Sequence, residues 1–490
     1  MINTSEAYKT AINASTREFR IRCFIYMNGE DAEPVELVGA NADPLDLEQA
    51  GKIVSCNLLE EVFSDTDIPT GAVTSNEFSL TLGNTDHRYT PTNTSSPYHN
   101  KLVPNLKIVP FIDLKIANNG NDSDYEPIPL GTFWSQDWDT TSNDCEVTTT
   151  CHDRLYDIGQ LDCPLLRVQQ NVSVHDAFVI IFTTLGLSQD DYEIDESLNY
   201  ILSYLWLPKG KVKDALVQLA IGSNCIVYVN RYNKIVVKNI FKNVSRSGFL
   251  DSTSQITFAS IPTSYLKIYN IVNVKQKIPN ISKTTQIVSL SNIVLNPGLN
   301  TFSKIAFSNG PIAIFGHLSI INGNNFIQLT DLTYDAWSTS FTINNTGTVP
   351  FTVNIECYGQ YVELTDLEAI TAQTDAKFNS TKQLDINNDF IQDKTQAINY
   401  SKRMLTYVED PGAYVHIEYR GNPAIELWDT LLLTDPEDKI DGLDVAPIRI
   451  ELDFDGSLSA KMLALKVSSK IIKDWVYLCP GLFAYCARSI

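Results

Sequence analysis

The stretch that decides the fold is Leu130 to Gly159, LGTFWSQDWDTTSNDCEVTTTCHDRLYDIG. It reads as a β-hairpin running into a short helix. Phe133 to Trp138 is aromatic-rich, Asp139 to Asp144 carries turn chemistry, and Cys145 to Thr150 is β-branched and rich in threonine. At a period of two, Cys145, Val147, Thr149 and Cys151 share one face, with Glu146, Thr148 and Thr150 on the other. From His152 the spacing turns helical, with Leu155 and Ile158 three apart. Strand patterns precede this stretch and a helix-containing module follows it, so it marks the closing edge of a first β-domain.

Upstream, residues 1–15 allow a weak helix with Tyr8 and Ile12 four apart. Phe19, Ile21, Cys23, Ile25 and Met27 then share one strand face opposite Arg20 and Arg22, until Asn28-Gly29 turns the chain. Lys52 to Leu59 and Glu77 to Leu82 alternate likewise. Between Gly83 and Asn100 the run NTDHRYTPTNTSSPYH reads as a loop too polar to pack a core. Leu106 to Ile116 is a strand that Pro110 assigns to an edge or a bulge. These strands make an antiparallel barrel or sandwich over residues 1–159.

Downstream, residues 160–250 read as a small α+β module. Ser173 and Asp176 form a capping box ahead of Val174, Phe178, Ile181 and Leu185, and Gly186 ends that helix. A second helix carries Val212, Ala215, Leu216 and Leu219, with Gly222 expected just beyond it. CIVYV (225–229) and IVVK (235–238) then make a hairpin across the turn Asn230 to Lys234. Residues 251–282 and 358–470 read as a second β-domain with a long helix over Asn388 to Tyr407. The Asn-, Ser- and Thr-rich segment 283–357 reads as an inserted β-sandwich, self-contained and dispensable. The aromatic tail 471–490 is expected to be a docking segment.

Composition narrows the function. The 490 residues have room for roughly three to four domains. No run of ~18 apolar residues is present, so no membrane-spanning helix is expected. MINTSEAYKTAIN lacks the apolar core of a secretory signal. With 58 Asp and Glu against 37 Lys and Arg, the net charge of −21 argues against a phosphate-gripping surface. The nine cysteines include no CxxC pair, and buried reduced thiols are expected.

Catalytic groupings are weak. His87 and His99 flank a loop without metal-pair spacing, and Cys151-His152-Asp153 cannot form a dyad by adjacency on a strand. Glu60-Glu61, Asp190-Asp191 and Asp195-Glu196 read as solvated surface. Asp65-Thr66-Asp67 and Asn119 to Asp124 are oxygen-rich but lack the distal Glu of an EF-hand loop. No phosphate-binding glycine loop or nucleophile elbow is present. Neither catalytic residues nor a cofactor nor a bound transition metal is expected.

The order of parts is similar to the tail hub proteins of bacteriophages. NTSEAYKTAINASTREFRIR, SNEFSLTLGN, NLKIVPFIDLKI, IPLGTFWSQDW and CHDRLYDIG carry the likeness at the front, and GNPAIELWDTLLLTD and IRIELDFDGSLSAKMLAL carry it at the back. It spans about three-quarters of the chain and leaves 283–357 outside. The resemblance implies two tail-tube-like β-barrels per chain and a homotrimeric ring joining a six-fold tube to a three-fold spike. It further implies contacts with a tail tube or distal tail protein, a tape-measure protein and a central spike or tip protein. The ring would sit in a virion assembled in the host cytoplasm, and DNA would pass through a channel with an acidic or neutral wall. A cell-wall hydrolase, and a carbohydrate-binding adhesin acting through 283–357, are the alternatives.

Overall fold

The structure is a computed structural model. It describes residues 1–30, 32–39, 52–62, 70–90, 92–120, 122–140, 145–240, 246–251, 255–261, 269–374, 381–409 and 414–467. The tail 471–490, Cys479, Cys486 and Asp65-Thr66-Asp67 lie outside the described residues.

The first part of the chain holds α1 (Glu6–Ile12), β1 (Phe19–Ile25), β2 (Val35–Val38), β3 (Ile53–Glu61), β4 (Glu77–Gly83), β5 (Lys107–Lys115), β6 (Tyr125–Pro129), β7 (Phe133–Thr140), β8 (Glu146–His152) and α2 (Arg154–Gln160). Alternation builds these strands as the sequence suggests: Ile21, Cys23 and Ile25 point into the core, while Arg20 and Arg22 share the buried Asp113 on the other face. Pro110 lies inside β5, not at an edge or bulge. It stands opposite Cys23 in an unbroken ladder with β1. On its other side β5 changes partner, from β7 at Lys107 and Ile108 to β6 at Phe111 to Lys115. The Pro110 carbonyl faces that side, accepting from Leu130 N at 3.0 Å, so the missing N–H falls where the partners change.

The polar loop does enter the core. Tyr89 is buried and stacks on Tyr98 at 5.3 Å, and buried Asn84 accepts from the Tyr89 backbone N–H. Two tyrosines among threonines and asparagines suffice to anchor a segment whose mean polarity suggested otherwise.

The middle of the chain holds β9 (Gln169–Ser173), α3 (Val174–Thr184), β10 (Tyr192–Ile194), β11 (Ile201–Leu205), α4 (Val212–Ser223), β12 (Cys225–Val229) and β13 (Ile235–Asn239). Ser173 caps α3 by accepting from Asp176 N at 3.0 Å, and Gly186 takes φ +83° just past its end. Gly222, by contrast, lies within α4; Asn224 in the left-handed region ends that helix.

Next come β14 (Gly248–Asp251), β15 (Ile256–Ser260), β16 (Ile271–Lys275), β17 (Lys277–Ile281), β18 (Thr285–Leu295), β19 (Gly298–Ala306), β20 (Ile312–Ile321), β21 (Ile327–Tyr334), β22 (Ser338–Asn345), β23 (Phe351–Asp366), β24 (Ile370–Gln373) and β25 (Gln383–Asn387). The last described elements are α5 (Lys394–Val408), β26 (Tyr414–Tyr419), β27 (Leu431–Asp435), β28 (Ile440–Phe454) and β29 (Leu458–Lys466). The helix starts later than Asn388 because Asp393 caps it, accepting from Gln396 N at 2.9 Å. The boundary expected at 357/358 falls inside β23, which pairs with β17, β18 and β20. Ala336 packs into the same apolar cluster as α3 and α4, and Trp337 Nε1 donates to the Leu207 carbonyl at 2.7 Å.

The fold is mixed and dominated by β-sheet. Among the described residues fourteen strands form one sheet, in the order β15-β26-β29-β28-β3-β4-β8-β7-β5-β1-β2, with β6, β14 and β27 joined at its sides. Its largest apolar cluster draws on strands from both parts of the chain and on Ala397, Tyr400 and Met404 of α5.

Candidate functional site: the seam between two strand units

The two parts of the chain meet at β3 and β28. These strands pair antiparallel over six positions, from Cys56 opposite Phe454 to Glu61 opposite Arg449. On one face Leu58, Ile450 and Leu452 are buried. On the other, Asn57 Nδ2 donates to Asp453 Oδ1 at 2.6 Å.

The strands on either side of this seam repeat one pairing pattern. In β3–β4 the register slips between Ile53 and Ser55; in β15–β26 it slips between Ile256 and Phe258. In β7–β8 the slip lies between Ser135 and Trp138; in β28–β29 it lies between Pro447 and Arg449. Rows of facing residues therefore correspond. Cys56, Leu80, Thr149 and Trp138 form one row, and Ala259, Ile417, Met462 and Ile450 its counterpart. Ile53, Leu82, Val147 and Thr140 match Ile256, Tyr419, Ala460 and Leu452 in the same way. Four strands on each side thus share one register, bulges included, although few of the facing residues are alike.

The α+β module is fastened to the seam. Val227 N donates to the Ala72 carbonyl at 2.9 Å, and Asn76 Nδ2 to the Val229 carbonyl at 2.8 Å. At the tip of the β12–β13 hairpin Arg231 reaches Glu60 on β3. Its Nε and Nη2 donate to the two carboxylate oxygens at 3.0 and 2.6 Å, and its Nη1 to the Pro423 carbonyl. Both side chains are buried, Glu60 at 3% exposure and Arg231 at 1%. Burial alone would lower the Arg231 pKa, but the Glu60 carboxylate overrides it and holds it above the usual guanidinium value. Glu60 is therefore not solvated surface. The pair lines a cavity of about 350 Å³ with Tyr228, Glu193 and Glu426. Burial raises the Glu426 pKa, partly offset by Arg231.

The remaining candidate residues are dispersed. Asp191 accepts from Ser188 and pairs with Arg154 at 2.9 Å, which pushes its pKa down to about 2. In the stretch 119–124, Asp124 is buried and accepts from Asn119 Nδ2 and Gly120 N, while Asp122 pairs with Arg20. These oxygens already face donors, which does not suit a cation. Cys151 points into the core and His152 outward onto Tyr156, at 4.3 Å between rings. Burial pushes the Cys151 and Cys225 thiols up to about 12. Cys145 is exposed, contrary to the expected pattern, because β8 begins only at Glu146. Among the described residues no three of His, Cys, Asp and Glu are placed to hold a metal ion, and no helix is long and apolar enough to cross a membrane.

Sequence reasoning missed Arg231 and read Glu60 as solvated surface. A lone arginine in a hairpin turn and a Glu at a core-facing strand position are the two signals that could have paired them.

No protein-family model matches the chain, and no curated protein matches it in sequence. In fold it is similar to the tail protein from Neisseria meningitidis MC58, with a TM-score of 0.51 and 8% identity over 92% of this chain and 97% of that one. The 43 kDa tail protein of prophage MuSo2 from Shewanella oneidensis gives 0.49 at 8% identity, over 91% and 98%. Prophage tail protein gp18 from Listeria monocytogenes EGD-e gives 0.42 at 11% identity, over 95% and 100%.

Proposed function

We propose that this chain is the structural hub of a phage or phage-like tail tip, assembling as a homotrimeric ring that joins a six-fold tube to a three-fold spike or tip. The observation that carries this reading is the repeated four-strand unit: three chains with two units each present six similar units on a three-fold frame. The fold likeness to a tail protein supports the same assignment. On this reading residues 1–159, and 251–282 with 358–470, make two tube-like barrels. The module 160–250 braces them, and 283–357 is a decoration. A tail tube or distal tail protein, the tape-measure protein and the spike or tip protein are the neighbours.

The sheet face turned away from the core suits a passage for DNA. It carries Glu77, Glu146, Glu418, Glu451 and Asp453 against Arg449 and Lys461. Each basic contact to phosphate adds affinity through counterion release, so an acidic wall lets a duplex slide. Hydrolysis has no support from Glu60, whose two oxygens are both taken by Arg231.

Native mass spectrometry of the full chain at micromolar concentration tests the reading. A species of three times the 54.8 kDa chain mass is expected. A stable monomer would contradict it, as would tight retention of duplex DNA at physiological salt.

A further inference from the structure

The cavity of about 350 Å³ beside the Arg231–Glu60 pair is lined by Glu193, Asp195 and Asp429 as well as by Glu60 and Glu426. Its basic side chains are engaged. Arg231 is spent on Glu60 and the Pro423 carbonyl, and Lys238 Nζ donates to the Trp428 carbonyl at 3.4 Å. An anion entering there would face five carboxylates, and repulsion excludes it.

Tyr228 shows independently that something is missing from this space. Its side chain is 6% exposed, and its ring belongs to the largest apolar cluster. It also lines the cavity, and among the described residues nothing hydrogen-bonds its hydroxyl. A buried hydroxyl without a partner costs about 1–3 kcal/mol. Burial raises its pKa, and the charges of Glu426, Asp429, Glu60 and Glu193 push the same way. The hydroxyl is therefore neutral, free to accept from an N–H, and surrounded by negative charge.

An ammonium already meets part of this wall. The Met1 ammonium lies against Asp429 and, at 3.5 Å, against Glu426. Burial still raises the Glu426 pKa, against the pull of Arg231 and of that ammonium. A metal ion is a poor match, because among the described residues no three carboxylates converge on one point. A flexible organic cation charged at both ends suits carboxylates that stand apart.

We propose that this cavity binds a short alkane diamine. One ammonium donates to Tyr228 Oη and Glu426, and the other reaches Glu193, whose side chain is 55% exposed at the mouth. The methylenes lie against Val236 and Leu427, which also line the cavity. The site is a binding function separate from the hub reading and does not depend on it.

Calorimetric titration of the full chain with 1,4-diaminobutane tests this. A chain of net charge −21 gathers cations without specificity, so butylamine and magnesium chloride at equal ionic strength are the controls. One diamine should bind per chain, with butylamine about tenfold weaker and magnesium unable to displace it. Tyr228→Phe removes only the hydroxyl, so it should leave the melting temperature unchanged or higher and weaken the diamine about tenfold. Glu193→Gln, at an exposed position, should bring the diamine down to the affinity of butylamine. Absence of binding, equal affinity for butylamine, displacement by magnesium, or full affinity in both variants would each overturn the site.

Discussion

Ser282 and Tyr361 exchange two hydrogen bonds across the base of the β18–β23 region: Ser282 N donates to the Tyr361 carbonyl, and Tyr361 N to Ser282 Oγ, both at 3.0 Å. Below them the β17–β23 ladder runs on from Ile281 opposite Val362. These two residues flank the cut, which keeps the expected start at 283 and carries the far end past 357 to the ladder of β23. Replacing 283–360 by a short Gly-Ser turn should leave a folded, assembling protein. It should lose about 3 kcal/mol, the order of one large aromatic contact, because Trp337 no longer covers Leu207. Insolubility of that variant would contradict the expectation.

Arg231→Ala strands the Glu60 carboxylate in the interior. The expected loss is about 3–5 kcal/mol in a denaturant titration, with no change in the slope. Glu60→Leu combined with Arg231→Met should recover most of it, since an apolar pair of similar volume carries no desolvation penalty.

Asp153 is fully buried at the N-cap of α2, accepting from Asn76 N and Leu155 N. Burial pushes its pKa from 3.8 up to about 7, with the backbone N–H groups pulling the other way. A folded-state pKa raised above the unfolded one contributes stability that is fully present below pH 3.8 and lost as pH rises through about 7. Asp153→Asn should remove that loss across the window. At low pH it should cost about 1–3 kcal/mol, because the amide can accept only one of the two backbone donors. Unfolding at several pH values, for both proteins, checks the sign.

Six of the seven described cysteines are buried and Cys145 is exposed. Brief treatment of the native protein with iodoacetamide should label Cys145 well before Cys23, Cys56, Cys151 and Cys225, read by peptide mass spectrometry. Labelling of Cys225 at the rate of Cys145 would contradict the buried position of β12.

Local structure was legible where one side chain settles it. Ser173, Asp176 and Gly186 bracket α3, and the alternation from Phe19 to Ile25 sets the face of β1. Long-range partners were not, because nothing local marks them. Glu60 looks like half of a surface carboxylate pair until Arg231 arrives from residues far along the chain. Tyr89 and Tyr98 were masked by the polarity around them. The shared register of the two units, expected only as two similar barrels through the resemblance, was hidden for a different reason. Thr149 corresponds to Met462, Ser135 to Pro447 and Leu58 to Ile261, so the repetition resides in register and bulges, and residue identity does not carry it.

Electron-microscopic class averages of the purified full chain check the ring. They should show a three-fold particle with six similar lobes around a central opening wide enough for a DNA duplex, its wall carrying Glu77, Glu418 and Asp453. A closed particle with no opening, or an opening ringed by lysine and arginine, would contradict it.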